Sequence, residues 1–119
     1  MRFTLVSFIS AALLMKVTEA GWSFTIYENA GYGGKYLSYS GRSPVQSCHD
    51  IDSRLDNKVS SFKYTTTCCN LKMYDGHGCS GAVLGSTTDN WNVNQISSGN
   101  NDRMSSFHID CRKTAYACV

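Results

Sequence analysis

Polar and apolar positions alternate along six short stretches of the chain: SFTIYEN (Ser23 to Asn29), KYLSYS (Lys35 to Ser40), VSSFKYTTT (Val59 to Thr67), NLKMYD (Asn70 to Asp75), GAVLGS (Gly81 to Ser86) and MSSFHID (Met104 to Asp110). Each is rich in β-branched or aromatic residues and bounded by Gly, Asn, Asp or Ser, the pattern of strands with one buried face. After the first twenty residues, no stretch places apolar residues at i, i+3, i+4 and i+7 over three turns. The ten glycines point the same way, so the pattern predicts an all-β domain.

The first twenty residues read differently. Arg2 precedes an apolar run from Phe3 to Met15, and Thr18 and Ala20 are small residues flanking Glu19. This is the organisation of a secretory signal peptide. Ser7, Ser10 and Lys16 interrupt the run, which is shorter than the roughly 20 apolar residues a membrane-spanning helix needs. The expected organisation is a signal peptide over 1–20 and one domain over 21–119, secreted to the extracellular space and not membrane-spanning. Removing Arg2, Lys16 and Glu19 lowers the formal charge from +2 to +1. That balance, without a basic stripe, argues against nucleic acid or an anionic membrane as a partner.

Six cysteines, Cys48, Cys68, Cys69, Cys79, Cys111 and Cys118, lie in the exported part. An even number in a small secreted chain predicts three disulfides, each contributing about 2–4 kcal/mol. Six cysteines allow 15 pairings. Adjacent Cys68 and Cys69 would point to opposite faces of a strand and so take different partners. Zinc is excluded by spacing, since the sequence has neither a C-x-x-C pair nor paired histidines. A Cys-His catalytic pair with His49, His77 or His108 is excluded because an exported thiol with five potential partners is oxidised.

The chain also repeats itself. YENAGYGG (Tyr27 to Gly34) and YDGHGCSG (Tyr74 to Gly81) share the order aromatic, acidic, two variable residues, Gly, two more, Gly, at an offset of 47. LDNKVSSFKY (Leu55 to Tyr64) and NDRMSSFHI (Asn101 to Ile109) share two Asp or Asn residues, two variable residues and Ser-Ser-Phe, at an offset of 45. Two copies of one unit therefore fill the domain, about 23–67 and about 70–119. Strand, Gly-rich hairpin, strand, polar crossover and strand is an order that suits a Greek key.

These four stretches, in this order, resemble the βγ-crystallin family in its single-domain, microbial and calcium-binding form. The resemblance covers Phe24 to Ile109. Tyr27 with Gly34 and Tyr74 with Gly81 match the folded-hairpin signature, and DNKVSS (Asp56 to Ser61) and NDRMSS (Asn101 to Ser106) match N/D-N/D-x-x-S/T-S. It implies a sandwich of two Greek-key motifs with about eight strands, here stapled by disulfides. It also implies two calcium ions, each held jointly by both stretches: side chains of Asn57, Ser60, Asp102 and Ser105, with backbone carbonyls of Glu28, Lys58, Asp75 and Arg103.

The residue types fit that chemistry, because calcium takes six to eight oxygens from carboxylates, amides, hydroxyls, carbonyls and water. Turn formation alone would also use Asp, Asn and Ser at these places. Both copies keep every oxygen-bearing position, which favours the cation. Few ligands are charged, so affinity is expected at about 10⁻⁵ to 10⁻³ M, with the Asp102 site tighter than the one using neutral Asn57. Lys58 and Arg103 would weaken both.

Enzymatic chemistry is not expected. The exported part has one Glu, Glu28, where a glycosidase needs two placed carboxylates. His49, Asp50 and Asp52 read as a solvated crossover loop rather than a metal or acid cluster. Trp22 and Trp91 fit the repeat poorly and stand as candidate surface aromatics. The resemblance implies a monomeric calcium-binding module. The alternative is a secreted antimicrobial, killer-toxin-like or effector protein acting on a cell surface or protein target, with calcium incidental. A third reading, protease inhibition, rests on GRSPVQSC (Gly41 to Cys48) as a loop stiffened by Pro44.

Overall fold

The computed structural model describes residues 20–42 and 46–111. The expected leader, apart from Ala20, lies outside them, as do Pro44 and the tail with Cys118. Eight strands form: β1 (Gly21–Asn29), β2 (Gly33–Arg42), β3 (Gln46–Asp50), β4 (Ser61–Thr67), β5 (Cys69–Tyr74), β6 (Val83–Thr87), β7 (Trp91–Val93) and β8 (Ser106–Cys111). They make two four-stranded sheets, β2-β1-β4-β7 and β3-β8-β5-β6, with every pairing antiparallel. Each repeat gives three strands to one sheet and sends its third, β3 or β7, into the other.

Alternation explains which strands the sequence reveals. In β1, Trp22, Phe24 and Ile26 are buried between exposed or half-buried neighbours, and in β5 Cys69, Leu71 and Met73 follow the same period. In the core, Phe24 meets Phe62 and Tyr64 of the neighbouring strand β4 and Phe107 of the facing sheet edge to face, with ring centroids 5.5, 5.9 and 4.9 Å apart. Such pairs add about 0.5–1.5 kcal/mol beyond burial. The crossovers close the ends with Ile51, Leu55, Val59 and Met104, all buried.

Several expectations are corrected here. His49 and Asp50 belong to β3, and the flanks of the supposed stiff loop, Gly41 to Arg42 and Gln46 to Cys48, are strand. His49 turns to the inner face, stacking on Phe107 at 4.9 Å and lying 5.3 Å from Trp22. Trp22 is therefore a core residue, only 6% exposed, and Trp91 is half-buried against Phe62 at 5.2 Å. Trp22 is thus not a surface aromatic, whereas Trp91 keeps part of its ring accessible.

Disulfides staple the second sheet. Cys69 and Cys111 are bonded and face each other across β5 and β8. Cys48 of β3 is bonded to Cys79 in the hairpin between β5 and β6, joining the two repeats. Cys68 is also disulfide-bonded. Cys68 and Cys69 thus have different partners, as their adjacency requires.

Candidate functional site

The two hairpins and the two crossover stretches converge at one end of the sandwich. In the first hairpin Gly31, Tyr32 and Gly34 have φ of 73°, 59° and 78°, and in the second Gly78, Cys79 and Gly81 have 68°, 57° and 86°. Gly81 is required by space as well as φ, because a Cβ there would lie 2.3 Å from Asp75 Oδ1. The Asp75 carboxylate instead accepts the Ala82 N–H at 2.8 Å and the Arg103 guanidinium at 2.8 Å. Arg103, and then the Ala82 amide, hold the Asp75 carboxyl below its usual range.

The last serine of each signature locks its hairpin. Ser61 Oγ donates to Asn29 O at 2.6 Å and accepts from Tyr32 N at 3.0 Å. Ser106 Oγ donates to Gly76 O and accepts from Cys79 N at 2.9 Å. Both serines are fully buried, so each hydroxyl satisfies two backbone groups that the folded hairpin would otherwise strand. Their positions in the repeated signature were the signal for this role, which the residue-type argument for ligands passed over.

The serines one residue earlier reach across to the other repeat. Ser60 N donates to Tyr27 O at 2.9 Å and Ser105 N to Tyr74 O at 2.9 Å, setting each hydroxyl beside the opening hairpin of its own repeat. Asn57 and Asp102 both adopt left-handed φ, 59° and 62°, and Asn57 N and Asp102 N bond to Met104 O and Val59 O of the opposite stretch, at 3.1 and 3.2 Å. The result is a reciprocal pair of contacts. Ser60 Oγ donates to Asp102 Oδ1 at 3.3 Å, and Ser105 Oγ donates to Asn57 Oδ1 at 3.0 Å.

All four expected side-chain ligands are thus brought together in two pairs, each drawn from both repeats. Glu28 and Asp75 directly follow the tyrosines whose carbonyls hold Ser60 and Ser105. Lys58 and Arg103 sit in tight turns, their N–H groups bonding to Leu55 O at 2.9 Å and Asn100 O at 3.3 Å. The four backbone candidates therefore flank the same two pairs. Arg103 differs from expectation in one respect: its charge is matched by Asp75, so it opposes a cation less than an unpaired arginine would.

Asp56 and His77 add an asymmetry that the sequence did not suggest. His77 Nε2 lies 2.8 Å from Asp56 Oδ2. Burial works against the Asp56 charge, but the neighbouring Ser105 hydroxyl and the His77 ring outweigh it and lower the carboxyl pKa. The hydrogen bond to Asp56 raises that of His77. Asp56 Oδ1 is buried and has no hydrogen-bond partner. The counterparts of this pair in the other repeat are Asn101 and Ala30, neither of which can form it.

Other candidates do not converge. His49 is held by Phe107 and by Ser47 Oγ at 2.8 Å, Asp50 Oδ1 accepts the Gly78 N–H at 2.7 Å, and Asp52 pairs with Arg54. Among the described residues, no group of three or more His, Cys, Asp and Glu side chains is arranged to hold a metal. No helix among them is long and apolar enough to cross a membrane.

No protein-family model and no curated protein sequence matches the chain. Solved structures do. A βγ-crystallin domain from Clostridium beijerinckii aligns with a TM-score of 0.54 and 21% identity, over 74% of this chain and 97% of its own. A βγ-crystallin from an archaeon gives 0.54 and 18% over 72% and 94%, and one from Ciona intestinalis gives 0.52 and 20% over 76% and 99%. A clostrillin double mutant solved in complex with nickel gives 0.53 and 20%, over 74% and 97%. With the exchanged third strands and the paired hairpins, these likenesses establish that the described chain has the fold of the single-domain βγ-crystallins.

Proposed function

We propose that this protein is a secreted, non-enzymatic calcium-binding module in which two cations tie the two crossover stretches to the two hairpins. The observation that carries the reading is the reciprocal pairing of Ser60 with Asp102 and Ser105 with Asn57. Oxygens that share a calcium ion at about 2.3–2.6 Å lie roughly 3 Å apart, the spacing of these pairs. The donor set is oxygen throughout, in hydroxyl, amide, carboxylate and backbone form, which suits a hard cation. Asp56 Oδ1 supports the fit, since a buried carboxylate oxygen without a partner is costly and a nearby cation offsets that cost.

Asn57, Ser105 and the carbonyls of Asp75 and Arg103 would hold one ion, and Asp102, Ser60 and the carbonyls of Glu28 and Lys58 the other. Asp56 brings a carboxylate to the otherwise neutral Asn57 site. The two affinities should therefore lie closer together than Asn57 and Asp102 alone suggest. A bound ion supplies positive charge at the point where four loops meet, and it stabilises the folded chain by mass action.

Calorimetric titration of the oxidised chain with calcium, paired with thermal melts in calcium and in chelator, tests this reading. Two saturable sites and a raised melting temperature are expected. An absence of binding heat together with unchanged melting would refute it.

A further inference from the structure

The two repeats are not filled alike. In the first, Ile26 of β1 stands opposite Leu37 of β2. In the second, the ladder shifts by one residue and Met73 of β5 stands opposite Gly85 of β6. The crossovers differ in the same direction. Leu55 N bonds to Asp52 O and Asn100 N bonds to Ser97 O, each at 2.9 Å, so Asn100 is the positional counterpart of Leu55. Leu55 is fully buried, whereas Asn100 is half-buried and turns its amide to Leu84 O at 3.2 Å.

In the second repeat one aliphatic side chain is therefore displaced, Leu84 being moved off the position opposite Met73, and one is lost, Asn100 standing for Leu55. Trp91 replaces part of their volume. It pairs with Tyr64 where, in the other sheet, Ser47 pairs with Ile109. A Cβ on Gly85 would lie 3.1 Å from the Trp91 ring and 2.9 Å from the Met73 methyl, so glycine makes room for the indole. The exchange does not close the space, and a cavity of about 230 Å³ remains.

Phe62, Met73, Leu84, Trp91 and Ile96 line it, with the Asn100 amide as a polar member, and no lining residue is charged. Phe62 and Met73 are buried, whereas Leu84, Trp91 and Ile96 are only partly so, which opens the cavity on their side. We propose that this cavity is a binding site for an uncharged, indole-sized aromatic molecule carrying one hydrogen-bonding group. A dry aliphatic and aromatic cavity of about 150 Å³ admits benzene. The larger space here takes a fused bicycle. A charged ligand is disfavoured because its charge would be buried without a partner, while the Asn100 amide offers a donor and an acceptor to a single polar group. None of the lining side chains is among the expected calcium ligands.

The test is an NMR titration of the oxidised chain with indole in chelator, with benzoate as a charged molecule of similar size. Saturable shifts in the range of about 10⁻⁴ to 10⁻³ M are expected at the Leu84, Ile96 and Met73 methyls and at the Trp91 indole N–H. Benzoate should bind at least tenfold more weakly. Asn100→Leu restores the residue type of the first repeat and should weaken indole at least tenfold while keeping the native spectrum. If that variant fails to fold, the shift map of the unaltered chain decides alone. Shifts that do not saturate, that fall elsewhere, or that survive in folded Asn100→Leu would overturn the assignment. Equal binding of benzoate would overturn the ligand class.

Discussion

Adjacent serines in one signature should fail in opposite ways. Ser106→Ala removes a hydroxyl that bonds two backbone groups, Gly76 O and Cys79 N, at the edge of the core. Leaving a buried donor or acceptor unmet costs about 1–3 kcal/mol. Both partners here are partly accessible, so the low end applies to each, and the total is about 2–3 kcal/mol. At about 4–8 °C per kcal/mol for a domain of this size, melting in chelator should fall by about 8–24 °C. Ser105→Ala removes the hydroxyl that bonds Asn57 Oδ1 and favours the neighbouring Asp56 carboxylate, and leaves the backbone bond of Ser105 N to Tyr74 O in place. Its cost in chelator should be about 0.5–1.5 kcal/mol. In calcium the order reverses: Ser106→Ala keeps the calcium-induced rise in melting temperature, and Ser105→Ala loses the part that comes from one site. Differential scanning calorimetry of both variants, with and without calcium, reads all four values. Equal loss of the calcium shift in the two variants would refute the division between a serine that locks the hairpin and one proposed to hold an ion.

Three further outcomes follow from the same geometry. Burial, and secondarily the charge of His108, lower the pKa of His49. The unfolded chain therefore takes up a proton more readily at His49, and the contribution of this residue to stability should fall as pH drops below about 6.5. Melts from pH 7.5 to 5 should show a smaller decline for His49→Phe than for the unaltered chain, and equal slopes would count against this. Gly81→Ala forces a Cβ onto Asp75 Oδ1 in a left-handed backbone and should destabilise by about 2 kcal/mol or more, read by chemical denaturation. Replacing Cys69 and Cys111 by alanine opens a bridge with a sequence separation of 42 and should cost about 4 kcal/mol by loop entropy, measured as a lower denaturant midpoint.

How much of this was legible in the sequence depends on the reach of each interaction. β1, β4, β5 and β8 announce themselves because one face of each lies in a shared core, so period-two alternation survives in Phe24, Ile26, Phe62, Tyr64, Leu71, Met73, Phe107 and Ile109. The third strands do not. β7 has three residues and β3 turns a histidine inward, so neither carries a local signal, and both are defined by pairing with the other repeat. Asn57, Ser60, Asp102 and Ser105 were readable because the signature is written twice, whereas the Asp56 and His77 contact was not, because it occurs once and joins residues from different hairpins and crossovers. Disulfide partners and the underfilled second repeat are likewise non-local. They depend on which side chains oppose one another across the sheets.

The exchange of third strands changes what a boundary within this chain means. A cut between Thr67 and Cys69 would separate the sequence repeats cleanly, yet each half would then carry a strand that belongs in its counterpart's sheet and an open edge awaiting the reciprocal strand. Neither half can complete its own architecture, so the repeat is a unit of sequence but not of folding. Two separately made halves should remain unstructured alone and assemble on mixing, after which the Cys48 to Cys79 bridge would fasten them covalently.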